Sequence, residues 1–213
     1  MRTGTLWSMR DLGPVTEDQV ILAWLQADIE SVDFQQYIVG DPPNPAYLTL
    51  ALKAARNPNL SDHDQNALRR RIITKAHGFG QSTATFAGLD DDIKWRRLRL
   101  AATEVAEMQY ANRGGSWAML APATRKVAEG VTNVGHVFTG DRTNMVILSL
   151  AAGICHSNKQ VPEIITLTRP DGRLVILEGH TRATAIVLEA HRFPTGVDVF
   201  TGDSPSVVRW EFL

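Results

Sequence analysis

The sequence contains a single cysteine, Cys155. One thiol excludes an intramolecular disulfide and any multi-cysteine metal site. No apolar run approaches the roughly 18 to 20 residues needed to cross a bilayer. Residues 1–14 lack the basic-then-apolar order of a secretion signal. The chain is therefore expected to be cytoplasmic, with no membrane role. Charge of either sign is not in excess, since 22 Lys+Arg face 23 Asp+Glu for a formal net charge of -1. A protein held chiefly by DNA phosphates carries a basic surplus, so the balance argues against that class while leaving room for a local basic patch. His136 and His156 have no second ligand at metal-binding spacing.

What is present is a chain of 213 residues, enough for one large domain or two small ones around a real core. Residues 16–37 open with Thr-Glu-Asp, a helix cap and acidic first turn, and then place Val20, Ile21, Trp24, Leu25 and Ile29 at helical spacing. The prolines at 42, 43 and 45 end that segment. Helices are predicted over 46–55 and from a Ser61 or Asp62 cap to about 75. The second of these carries Arg69, Arg70 and Arg71, the densest basic cluster in the chain. Residues 94–100 alternate charged and apolar side chains as a strand does, although so short a segment is also compatible with a helix. A helix from Thr103-Glu104 carries Val105, Met108 and Gln109, Arg113-Gly114-Gly115-Ser116-Trp117 interrupts it, as ordinary helix-to-helix turn chemistry or as a small phosphate loop, and a short helix follows over 122–129.

Residues 130–141, rich in glycine and threonine, form the softest boundary. They divide the chain into a mainly helical region, 1–130, and a C-terminal domain, 131–213. The expected class is α+β, with a small mixed sheet in the second part. Residues 144–154 read as an amphipathic helix. Apolar runs at 164–167 and 174–177 flank Pro170-Asp171-Gly172, the signature of a hairpin. Glu178-Gly179 stops the second strand, a helix covers 181–190, and a last strand covers 197–200. Ser204-Pro205 opens a short terminal helix.

The junction at residues 178–182 holds the sharpest functional signal. A strand that ends in glycine and turns directly into a helix aims several free N–H groups and the positive end of the helix dipole at one point. Gly179 lets an anion approach the backbone, and His180, Thr181 and Arg182 add donors and a two-pronged cation, although His180 can instead cap or pack at the helix start. The chemistry best served is phosphate binding. Glu178 can hold a Mg²⁺ that bridges phosphates, or act as a base toward a hydroxyl; it can equally pair with Arg182. Glu129 and Asp141 are further candidates for a base reaching the site from the preceding segment.

The order of elements over 144–200, with Glu178-Gly179-His180-Thr181-Arg182-Ala183-Thr184-Ala185 after the second strand, resembles the ParB/sulfiredoxin superfamily. Gly202, Ser204, Pro205 and Trp210 resemble a continuation seen in bacterial ParB-like proteins. Members of that superfamily include CTP-hydrolysing partition proteins, nucleases, sulfiredoxins and free serine kinases, so the resemblance marks fold more than reaction. Sulfiredoxin chemistry needs a cysteine beside the motif, where this chain has Glu178-Gly179-His180. Partition proteins carry paired arginines and a following helix-turn-helix domain, where this chain has His180-Thr181-Arg182 and runs on only to Leu213. The free serine kinases are closest. The resemblance implies a protein that binds ATP, ADP or CTP with Mg²⁺ and transfers phosphate to the hydroxyl of a small acceptor such as an amino acid or nucleoside. The alternative is a nucleotide-responsive DNA-binding or nuclease module that uses Arg69, Arg70 and Arg71 together with Arg96, Arg97 and Arg99.

Overall fold

The computed structural model describes residues 9–40, 44–137, 142–156 and 161–213. Among the described residues it is an α+β fold built on one mixed sheet of six strands, with helices against both faces. In chain order the strands are β1 (Arg10–Pro14), β2 (Lys94–Leu100), β3 (Gln109–Tyr110), β4 (Ile164–Thr168), β5 (Leu174–Glu178) and β6 (Val197–Asp203). Across the sheet they run β1-β2-β6-β4-β5-β3. The β4–β6 and β5–β3 pairs are parallel and the others antiparallel. Strands from both sides of residue 130, where the sequence suggests a division, share this sheet.

Alternation along the central strands decides which helices cover which face. Ile165 and Leu167 of β4, Val175 and Leu177 of β5 and Phe200 of β6 point to one side. They bury against α1 (Glu17–Asp28), α2 (Val32–Val39), α3 (Pro45–Arg56) and α4 (His63–His77), around a fully buried Trp24. Ile164, Leu174, Ile176 and Val199 point to the other side. There they meet α5 (Ala102–Glu107), α6 (Gly115–Leu120), α7 (Val127–Asn133), α8 (Thr143–His156) and α9 (His180–Leu188). Sheets buried on both faces read as continuous apolar runs, which is why 164–167 and 174–177 show little polar alternation. Each fully buried Leu or Ile contributes roughly 1.5 to 3 kcal/mol from its removal from water.

Local signals place most boundaries. Thr16 caps α1 in a reciprocal box with Gln19, and Asp62 caps α4 through the Asp64 and Gln65 N–H groups. Gly78 ends α4 in the left-handed conformation, at φ 74°. Asp171 and Gly172 turn the β4–β5 hairpin as expected. Several expectations are corrected. The helix expected over 16–37 breaks into α1 and α2, because Ser31 accepts from the Phe34 N–H and starts a new helix. Gln109, read as helical, lies in β3, where its side-chain amide donates to the Thr124 carbonyl. The helix expected over 122–129 begins only at Val127. The terminal helix is a 3-10 turn, Pro205–Arg209, capped by Ser204. Among the described residues no helix is long and apolar enough to cross a membrane.

Candidate functional site

β5 stops where β4 and β6 start and β2 ends, so these four strands bring their termini to one end of the sheet. A bulge re-aims Glu178 there. In the β4–β5 pair, Ile165 faces Glu178 while its neighbour Thr166 faces Ile176, so Leu177 is the extra residue. Bulges turn a side chain out of strict alternation. Glu178 is thereby opposite Ile165, on the side of the N-terminal helices, and its carboxyl feels the charges of Asp28 and His77 at the ends of α1 and α4. His77 Nε2 lies 2.8 Å from Asp28 Oδ2, and its ring stacks on Trp24 at 4.7 Å.

Gly179 starts α9 in the left-handed region, φ 102°, with no side chain capping the helix. Its lack of a Cβ serves Arg182. A methyl placed there would lie 3.0 Å from Arg182 Nη2 and 3.3 Å from Ile164 Cγ2, so the guanidinium folds over the position expected to admit an anion. Arg182 Nη2 donates to the Glu163 carbonyl at 3.3 Å and stands 3.7 Å from Glu178 Oε1. Both contacts are long for charge-assisted bonds, which run near 2.7 to 2.9 Å. Arg182 Nε is buried and has no partner among the described residues. A second guanidinium approaches from beyond β3, where Arg113 Nη2 donates to the Leu177 carbonyl at 3.0 Å and the group lies over the Phe212 ring at 5.3 Å. Burial pulls the Arg113 pKa down, partly offset by the Glu178 charge. Burial also pushes Glu178 up, against the lowering effect of Arg182. Arg182 thus stands within ion-pair reach of Glu178 at the helix N-terminus, and the Arg113 charge acts on the same carboxylate from the Leu177 carbonyl.

The remaining sequence candidates are distributed differently. His180 turns inward, between the rings of Tyr110 and Trp117 at 5.8 and 5.1 Å. Its Nε2 accepts the Ala111 N–H at 3.2 Å, which fixes the proton of the neutral ring on Nδ1. Burial, followed by the charges of Arg113 and Arg182, pushes its pKa down to about 3. Thr181 is half-buried and makes no side-chain hydrogen bond among the described residues. Glu129 closes its own loop: Oε1 accepts the Ala123 N–H at 3.0 Å, and Oε2 accepts the Thr124 N–H at 2.7 Å and its hydroxyl at 2.6 Å. Burial raises its pKa, and those bonds with the Arg125 N–H outweigh it, holding the carboxyl below its ordinary range. Asp141 lies outside the described residues.

A cavity of about 680 Å³ opens along the same end of the sheet. Glu163 joins it to the junction: its carbonyl accepts from Arg182 and its carboxylate accepts from Arg97 at 2.7 Å. Arg97 also reaches Asp198 at 2.8 Å, and Arg99 pairs with Asp198 through two bonds of 2.7 and 3.1 Å. A continuous charged seam therefore runs from β2 to α9. No family model, curated protein or solved structure matches this chain.

The reach of Arg113 to the Leu177 carbonyl, the Asp28–His77 pair and the seam were not legible in the sequence, because each joins residues far apart in the chain. The basic clusters it weighed for nucleic acid are largely committed elsewhere. Arg69 is fully buried, donating to the Ala54 and Asn59 carbonyls at 2.9 and 3.2 Å. Arg70 pairs with Glu17, and Arg96 pairs with Asp203 at 3.1 Å.

Proposed function

We propose that the chain binds a nucleotide phosphate at the β5–α9 junction and acts as a phosphotransferase on the hydroxyl of a small molecule. The observation that carries this reading is two guanidinium groups gathered at the uncapped start of α9: Arg182, whose contacts are long and whose buried Nε has no partner among the described residues, and Arg113, on the Leu177 carbonyl. A phosphate offers what the site lacks, a compact acceptor of several charge-assisted bonds, each worth about 1.5 to 3 kcal/mol. It would draw Arg182 off Gly179 and the Glu163 carbonyl, where its present bonds are long. The resemblance to the ParB/sulfiredoxin superfamily, closest to free serine kinases, supports ATP, ADP or CTP as the ligand.

Glu178 is the proposed base. Its carboxyl makes no hydrogen bond among the described residues, and burial raises its affinity for a proton, which suits removal of an acceptor's hydroxyl proton. Phosphoryl transfer otherwise asks the protein for positioning and charge stabilisation, which the two arginines can supply. A Mg²⁺ held by Glu178 fits this arrangement poorly, because the Arg182 guanidinium stands 3.7 Å from the same carboxylate. No step is assigned to a metal. Incubating the full chain with each nucleotide and a panel of amino acids and nucleosides, followed by ³¹P NMR, tests the reading. New phosphomonoester signals that vanish in Glu178→Gln are expected; a folded protein that turns over no nucleotide refutes transfer.

A further inference from the structure

We infer that the cavity at the end of the sheet is a second binding site, for a small amphipathic anion: a carboxylate or phosphate head on an apolar body. Its volume of about 680 Å³ lies within the roughly 300 to 1,000 Å³ typical of small-molecule sites. Binding there stands on this cavity's own residues and does not depend on the junction taking a nucleotide.

Charge fixes the sign of the ligand. Arg56, Arg97, Arg99 and Arg192 line the cavity. The carboxylates facing them are Glu30, Glu163 and Asp198. Asp198 serves Arg97 and Arg99 together, and Glu163 serves Arg97. Glu163 and Asp198 are thus held in the seam, and Glu30 faces Arg56. The cations are in excess. Among the described residues the Arg192 side chain has neither a hydrogen bond nor an ion pair, and Arg56 has only Glu30, in a pair with both side chains more than half exposed. Exposed pairs of that kind contribute about 0 to 1 kcal/mol, so a ligand anion can displace Glu30 at small cost. Arg192 and Arg56 are therefore the groups that receive the head.

Apolar side chains complete the lining. Val161 and Phe193, partly exposed, contribute hydrocarbon and one aromatic ring, while Ile154 at the end of α8 and Ile186 of α9 are nearly closed to solvent. A bare inorganic anion would leave Val161 and Phe193 wet, whereas a small aliphatic or aromatic body covers them and gains about 25 cal/mol per Å² of apolar surface removed from water. Thr195 and Gly196, on the turn before β6, complete the rim.

Phenyl phosphate and phenylacetate, with 2-phenylethanol and phenethylamine as the neutral and cationic counterparts, are titrated into the ¹⁵N-labelled full chain at low salt. Both anions are expected to give saturable shifts at residues 154, 186 and 192–198, and the tighter of the two names the head group. The neutral and cationic probes should give none. Arg192→Ala should weaken anion binding about tenfold, the loss of one charge-assisted bond. Thr195→Trp, placed at an exposed position that keeps the fold, should abolish binding by filling the cavity. Equal binding of the uncharged probe, shifts confined to 178–182, or no saturable shift with either anion overturns the inference.

Discussion

Lowering the pH should unfold this protein in part through one buried ring. His180 is nearly inaccessible, accepts the Ala111 N–H at Nε2 and has its pKa pushed down to about 3, first by burial and then by Arg113 and Arg182. In the unfolded chain a histidine titrates near 6.5. Between those two values the unfolded state holds a proton that the folded state refuses. Stability from this group is therefore fully present above pH 6.5 and is lost as pH falls toward 3. Each pH unit in that window removes about 1.4 kcal/mol, so acidification from 6.5 to 4 removes about 3 kcal/mol. That is a large part of a typical 5 to 15 kcal/mol. Urea unfolding at pH 7, 6, 5 and 4, run for the wild type and His180→Gln, isolates the effect because the other histidines cancel. A glutamine oxygen can still accept the Ala111 N–H but does not titrate. The variant should be less stable by about 1 to 2 kcal/mol at pH 7, from lost ring packing. Its disadvantage should shrink by about 1.4 kcal/mol per unit on acidification and reverse near pH 5. Parallel stability curves for the two proteins would refute the buried neutral ring.

Three other perturbations have defined outcomes. Gly130→Ala puts a methyl 2.8 Å from Tyr110 Cε2 and against its hydroxyl, which is bonded to Thr184 at 2.7 Å; a loss of about 2 to 3 kcal/mol in urea melts is expected from overpacking, and wild-type stability would contradict the packing. Arg69→Met strips donors from the Ala54 and Asn59 carbonyls and should cost about 2 to 4 kcal/mol, whereas a solvated arginine would be replaced without effect. Glu129→Gln removes the charged acceptor that holds the Ala123 and Thr124 N–H groups, so hydrogen exchange at both should accelerate without global unfolding; unchanged protection would show that the loop is held by other bonds.

The hairpin, the caps of α1 and α4 and the α9 start were legible because periodicity, Asp-Gly and capping residues act within a few positions. β1 and β3 were not. A five-residue strand containing proline and glycine, and a two-residue strand held by parallel pairing to β5, carry no local period. The junction was legible as an anion site, but the reason for its glycine was not. Sequence suggested room for phosphate, and the structure gives that space to Arg182. His180 was legible either as a phosphate donor or as a ring packed at the helix start, and what decides for packing, the rings of Tyr110 and Trp117, stands about sixty to seventy positions away. The bulge at Leu177 and the approach of Arg113 are likewise products of strand pairing, visible only once β5 has its partners.

Calorimetric titration of ATP, ADP and CTP into the full chain, alongside Arg182→Ala and Arg113→Ala, tests the phosphate site most directly. One nucleotide should bind with saturable one-to-one heat, and either substitution should weaken it at least about tenfold, the loss of a charge-assisted bond, in proteins whose melts show an intact fold. Absence of binding by all three nucleotides, or undiminished affinity in both variants, would contradict it.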